Sequence, residues 1–122
     1  FETDDPGRLV LLINNGEGTF ADPMFLAAGR SPIGIAAADL DGDGDVDLVV
    51  ANNMSDDLSV LRNRGDGSFD PPETVPAGDG PSFVLTADLD ADGDPDVAVA
   101  NASSNTVSIL INSGHGTFVA GG

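Results

Sequence analysis

Asp39-Leu40-Asp41-Gly42-Asp43-Gly44-Asp45-Val46-Asp47 decides the fold of this chain, which carries the stretch a second time as Asp88-Leu89-Asp90-Ala91-Asp92-Gly93-Asp94-Pro95-Asp96. Each copy sets aspartate at positions 1, 3, 5, 7 and 9 and glycine at position 6. In an extended segment that alternation points all five carboxylates the same way. Two carboxylates about 4 Å apart repel by roughly 4 kcal/mol at an effective dielectric near 20, so the loop needs a cation. Calcium suits it, because it takes about six to eight oxygen ligands from a flexible loop. The glycine at position 6 allows the sharp turn that wraps an ion.

Two other readings compete. Aspartate and glycine favour solvated turns in any case, but an ordinary turn does not require five alternating carboxylates, twice, with glycine at one fixed place. An EF-hand loop opens in the same way but needs a bidentate glutamate at position 12 and flanking helices. Position 12 is Val50 in one copy and Val99 in the other, and Asp47-Leu48-Val49-Val50-Ala51 and Asp96-Val97-Ala98-Val99-Ala100 have strand composition. The ninth-position Asp47 and Asp96 are therefore expected to close two calcium sites.

Working outward, the loops belong to a 49-residue period: Phe20, Phe69 and Phe118 share that spacing, and so do Asn52 and Asn101. Residues 11–59 and 60–108 align without a gap at 22 identities in 49. A period of this size indicates a propeller, a solenoid or an array. Within one unit, strands are expected at 33–38, 47–51, 58–63 and from Phe69 to Ala77, with a Gly65-Asp66-Gly67 turn before the last. Pro71 and Pro72 restrict that last strand to an edge or a bulge. The Gly- and Ala-rich first strand suits a position crowded against a central axis. Four antiparallel strands in about 40–50 residues are one propeller blade.

The expected architecture is all-β, about two and a half blades that do not close a ring within the chain. Residues 1–32 form the third and fourth strands of one blade, 33–81 a complete blade, and 82–122 a second blade. Open blades leave unpaired strand edges, so further blades are expected from a longer chain or from other copies in a homo-oligomer.

The totals narrow the partners. The chain has 122 residues, 21 acidic against four basic side chains, and a net charge of −17. Ten of the 21 carboxylates lie in the two loops, and two calcium ions would still leave −13. Nucleic acid and anionic membrane surfaces are poor partners for such a charge. No apolar run of membrane-spanning length occurs, so membrane insertion is not expected. The lack of cysteine excludes a disulfide framework or thiolate metal site. Calcium sites of ordinary affinity fill outside the cell, which points to a secreted or cell-surface setting.

Asp-x-Asp-x-Asp-Gly-x-x-Asp, the strand Asp47–Asn52 with its repeat Asp96–Asn101, and the Gly-x-Gly-[Ser/Thr]-Phe turns at Asn14–Phe20, Asn63–Phe69 and Asn112–Phe118 together resemble the FG-GAP/VCBS repeat family. The resemblance implies integrin-α-like propeller blades with calcium in the loop between the first two strands. It implies side-chain ligands from Asp39, Asp41, Asp43 and Asp47 with the Asp45 carbonyl, and from Asp88, Asp90, Asp92 and Asp96 with the Asp94 carbonyl. No Phe-Gly-Gly-Ala-Pro string is present.

Other motifs carry less. Arg64-Gly65-Asp66 spells the tripeptide that integrins bind, but its repeat equivalents are Asn15-Gly16-Glu17 and Ser113-Gly114-His115, so the repeat itself makes this turn. His115 is the only histidine and, with no Cys, Lys or Tyr, offers little for acid–base or nucleophilic chemistry, so no catalytic residue is assigned. Asn53-Met54-Ser55 and Asn101-Ala102-Ser103 match the glycosylation acceptor pattern. The expected function is a calcium-dependent extracellular binding or adhesion module for a protein or carbohydrate. A lectin-like propeller of several chains and an accessory domain of a secreted enzyme are the alternatives. With no Trp or Tyr to stack on sugar, the three repeated phenylalanines fit a blade core better than a sugar platform.

Overall fold

A computed structural model describes residues 7–121. Among them ten strands form three antiparallel sheets, with no helix. Strands β1 (Arg8–Leu11) and β2 (Met24–Ala27) make a hairpin. Strands β3 (Pro32–Ala38), β4 (Asp47–Asn52), β5 (Asp57–Leu61) and β6 (Glu73–Pro76) form a meander, each hydrogen-bonded to the next. Strands β7 (Pro81–Ala87), β8 (Asp96–Asn101), β9 (Thr106–Asn112) and β10 (Phe118–Ala120) repeat it. The two meanders share a register irregularity, between Pro32 and Gly34 in one and between Pro81 and Phe83 in the other. The chain is thus built of four-stranded propeller-type blades.

Two strand limits differ from the sequence expectation by more than one residue. The third strand stops at Leu61 rather than Asn63, and the fourth starts at Glu73 rather than Phe69. Pro71 and Pro72 cannot donate ladder hydrogen bonds, so pairing resumes only beyond them. Between the two strands a single bridge, Asn63 to Phe69, clamps the Gly-x-Gly turn.

The core lies between sheets. One cluster joins Val49, Ala51, Leu58 and Val60 of the first meander to Val84, Val97, Val99 and Leu110 of the second. The opposite face of the first meander buries Val50 and Leu61 with Ala28, and Leu9, Leu26, Leu48 and Phe69 pack on them. Strands β4 and β5 are therefore buried on both faces, whereas β8 and β9 alternate. Fully burying a valine or leucine contributes roughly 1.5–3 kcal/mol, so stacking of sheets is the main stabilising term. The innermost strands approach closely: a Cβ at Gly34 in β3 would meet the Ser82 carbonyl oxygen in β7 at 3.0 Å. That approach accounts for glycine at position 34.

The repeated phenylalanines do not share one environment. Phe69 and Phe118 pack on the two cores, but Phe20 is 56% exposed, because among the described residues no sheet lies against its side of the first hairpin.

Candidate metal centres

Each acidic loop joins the first two strands of a meander, β3 to β4 and β7 to β8, so strand pairing fixes both ends (Ala38 opposite Asp47, Ala87 opposite Asp96). Within the span the aspartates organise the backbone themselves. Asp39 Oδ1 accepts from the amides of Gly42 (2.9 Å) and Asp43 (3.2 Å), and its Oδ2 from Gly44 (2.9 Å). The second loop repeats the pattern: Asp88 Oδ1 accepts from Asp92 (3.2 Å) and Oδ2 from Gly93 (2.9 Å). Asp41 and Asp43, and Asp90 and Asp92, each accept from the amide two residues on. Gly44 and Gly93 have φ of 92° and 96°, the turn that position 6 requires.

Carboxylate oxygens of Asp39, Asp41 and Asp43 lie within 4.8 Å of one another, as do those of Asp88, Asp90 and Asp96. Burial, followed by the neighbouring carboxylates of Asp47 and Asp43, holds Asp41 above the ordinary carboxylate range. Asp90 is raised in the same sense, by desolvation and then by its contact with Asp92. Three anionic oxygens at this separation are a donor set for a hard divalent cation, which would replace their repulsion with attraction. The residues fit the calcium that the sequence resemblance implies.

Asp47 and Asp96 have a second task that the sequence does not show. Both are fully buried. Asp47 Oδ2 accepts from the Leu40 amide (3.0 Å) and Oδ1 from the Asn63 amide (2.8 Å). Asp96 does the same with Leu89 (2.7 Å) and Asn112 (2.8 Å). Each carboxylate thereby locks the loop entrance to the Gly-x-Gly turn of its own blade, and each oxygen keeps a lone pair for a cation. Arg62 lies beside Asp47 with its Nη1 3.9 Å from Oδ2, a fixed positive charge near a buried negative one. Asp45 stands apart from the cluster, its carboxylate against the turn at Gly65. Asp94 does not join the second cluster either, and its carboxylate lies toward Gly114.

Sequence reasoning did not single out Asn63 and Asn112, although their 49-residue spacing was a signal. Asn112 Oδ1 accepts from the amides of Gly114 and Gly116, both at 3.1 Å. Its Nδ2 donates to the Pro95 carbonyl in its own blade (3.1 Å) and to the Leu40 carbonyl in the preceding one (2.8 Å). One buried amide thus joins turn, acidic loop and adjacent blade.

The remaining motifs are largely occupied by local structure. Arg64 pairs with Asp70, and Asp66 accepts from the amide and hydroxyl of Ser68, which lowers its pKa. Asn101 is 1% exposed and donates to Ser108 and Thr106, so the folded chain withholds it from glycosylation. Asn53 is half-buried, with its Nδ2 3.4 Å from the Pro81 carbonyl. His115 sits at the exposed tip of its turn with φ 61°.

Consecutive four-stranded antiparallel meanders, each with an acidic loop at the tip of its first hairpin, define a β-propeller-like repeat protein. The FG-GAP-like repeat model matches residues 2–50, 39–99 and 88–122, and the chain belongs to that family. No match was found among curated proteins or among solved structures. Among the described residues no helix is long and apolar enough to cross a membrane.

Proposed function

We propose that the chain is a calcium-braced set of propeller blades that serves as an extracellular binding or adhesion platform, with calcium in a structural role. The observation that carries this reading is the pair of carboxylate clusters, Asp39/Asp41/Asp43 and Asp88/Asp90/Asp96, at equivalent loops of two stacked blades. In the first site Asp39, Asp41, Asp43 and Asp47 would supply side chains and Asp45 its carbonyl. Asp88, Asp90, Asp92, Asp96 and the Asp94 carbonyl would do so in the second. Bound calcium supplies charge compensation. The chain's own residues do the rest: Asp47 and Asp96 fix the loop entrances, and Asn112 passes that order to the neighbouring blade. The rigid stack then presents its loops to a protein or carbohydrate ligand, with the blades completing a ring from a longer chain or from further copies.

Calcium titration calorimetry tests the metal reading. Two sites are expected in the wild-type chain and one in Asp43→Ala and in Asp92→Ala. Two unaltered sites in both variants would remove the basis of the proposal. A glycan array tests the carbohydrate branch, with calcium-dependent binding as the supporting result.

A further inference from the structure

Beside the first acidic loop the chain places a positive charge that the repeat does not call for. Arg62 follows β5, and the residues 49 before and after it are Ile13 and Ile111. Its side chain is only 17% exposed and reaches from the first blade to the second, where Nη2 donates to the Gly116 carbonyl in the turn before β10. Nη1 is buried, makes no hydrogen bond among the described residues, and lies 3.9 Å from Asp47 Oδ2. Glu73 is 3.7 Å from Nη2 but 58% exposed, so solvent and salt screen its share of the compensation. The guanidinium also fills the space over Gly116: a Cβ there would clash with it, whereas the equivalent Gly18 and Gly67 have open space at that point.

The two loops differ at the aspartate that Arg62 faces. Asp96 is one of the three residues whose oxygens converge in the second loop. The first loop converges on Asp39, Asp41 and Asp43, and Asp47 lies against the arginine instead. In the second blade the position equivalent to Arg62 holds Ile111, which carries no charge.

We propose that Arg62 sets the two calcium sites apart: its fixed charge lowers the affinity of the first and leaves the second as the tighter site. The inference rests on the calcium reading of both loops. Two effects act in the same direction. A carboxylate oxygen already drawn to a guanidinium is a weaker donor to a cation, and a largely buried positive charge repels an incoming one. The same charge compensates the first loop without metal, whereas the second depends on calcium alone. As calcium falls, the first site empties before the second, and the Arg62 bond to Gly116 still ties the two blades together.

Calcium calorimetry on the whole chain, with backbone amide NMR at Gly44 and Gly93 to follow each loop, tests this. The wild-type chain is expected to fill the second loop first, with affinities about tenfold apart, the size expected of one partly screened unit charge acting on a divalent ion. Single-site backgrounds isolate the effect. With Asp92→Ala only the first loop binds, and Arg62→Gln, which keeps an amide donor for the Gly116 carbonyl, should raise its affinity about tenfold. Arg62→Lys keeps the charge and should leave that affinity low. Glu73→Gln removes a compensating charge and should weaken the same loop, and this exposed substitution does not depend on the buried arginine being replaceable. With Asp43→Ala only the second loop binds, and Arg62→Gln should leave it unchanged. An arginine that merely packed the interface would alter thermal stability in both the Gln and Lys variants without separating their affinities. Equal sites in the wild type, a first loop that fills before the second, or an Arg62→Gln effect shared by both loops would overturn the inference and leave the calcium reading standing. No calcium uptake by either loop would overturn both.

Discussion

Leu40 and Leu89 occupy the same position of the same motif, 49 residues apart, yet one is 1% exposed and the other 46%. Truncating each to alanine isolates the contribution of blade stacking. Leu40→Ala removes a side chain from the cluster shared by both meanders and leaves a cavity that β-strand backbones cannot readily collapse. Such losses cost about 2–5 kcal/mol. The Asn112 bond to the Leu40 carbonyl involves backbone, so it survives the substitution, and the measured change reports apolar burial and packing. Leu89→Ala deletes a side chain already half in water and should cost under about 1 kcal/mol, the range of substitutions away from a packed core. In a domain of roughly 100 residues each kcal/mol moves Tm by about 4–8 °C, so a loss near 3 kcal/mol lowers Tm by about 12–24 °C for Leu40→Ala. Urea denaturation in saturating calcium, followed by circular dichroism, measures both variants. Equal losses at the two positions would refute the argument that the neighbouring sheet, rather than the loop itself, is what holds Leu40.

Further outcomes follow from the loops. Chelation should lower the unfolding temperature of the wild-type chain, and Asp43→Ala or Asp92→Ala should each remove part of that calcium dependence in differential scanning calorimetry; an unchanged response to chelator would count against the metal centres. Because Asp41 and Asp90 are raised in the folded chain, that state binds protons more tightly than the unfolded one across the window above the ordinary carboxylate value. Metal-free stability from these groups therefore falls as pH rises through that window and returns as pH drops below it. Calcium affinity should run the opposite way, weakening as protons compete, and Asp41→Asn should flatten the metal-free slope in pH-dependent urea melts. Finally, Ala91 stands at φ 68° where the first loop has Gly42 at φ 76°. A left-handed non-glycine residue costs about 1–2 kcal/mol, so Gly42→Ala should destabilise the chain by about 1 kcal/mol and Ala91→Gly should stabilise it by up to that amount, read from denaturation midpoints.

Local chemistry made much of this molecule legible in its residues. Alternating aspartates with glycine at position 6 gave both loops and their turn. Valine-rich segments after them gave β4 and β8, and the 49-residue period gave the four-stranded unit. The lapses arose where a residue's role depends on something distant in sequence. Phe20 ends the same kind of Gly-x-Gly turn as Phe69, but among the described residues no sheet faces it. Asp47 and Asp96 looked like metal ligands alone, whereas the fold also brings the Leu40 and Asn63, or Leu89 and Asn112, amides to their oxygens. The sequence by itself therefore determined the repeat, the strands and the acidic loops, because spacing, turn preference and like-charge repulsion act within a few residues. Only the tertiary structure decided which equivalent positions are core and which are surface, because burial depends on whether another blade stands on that face.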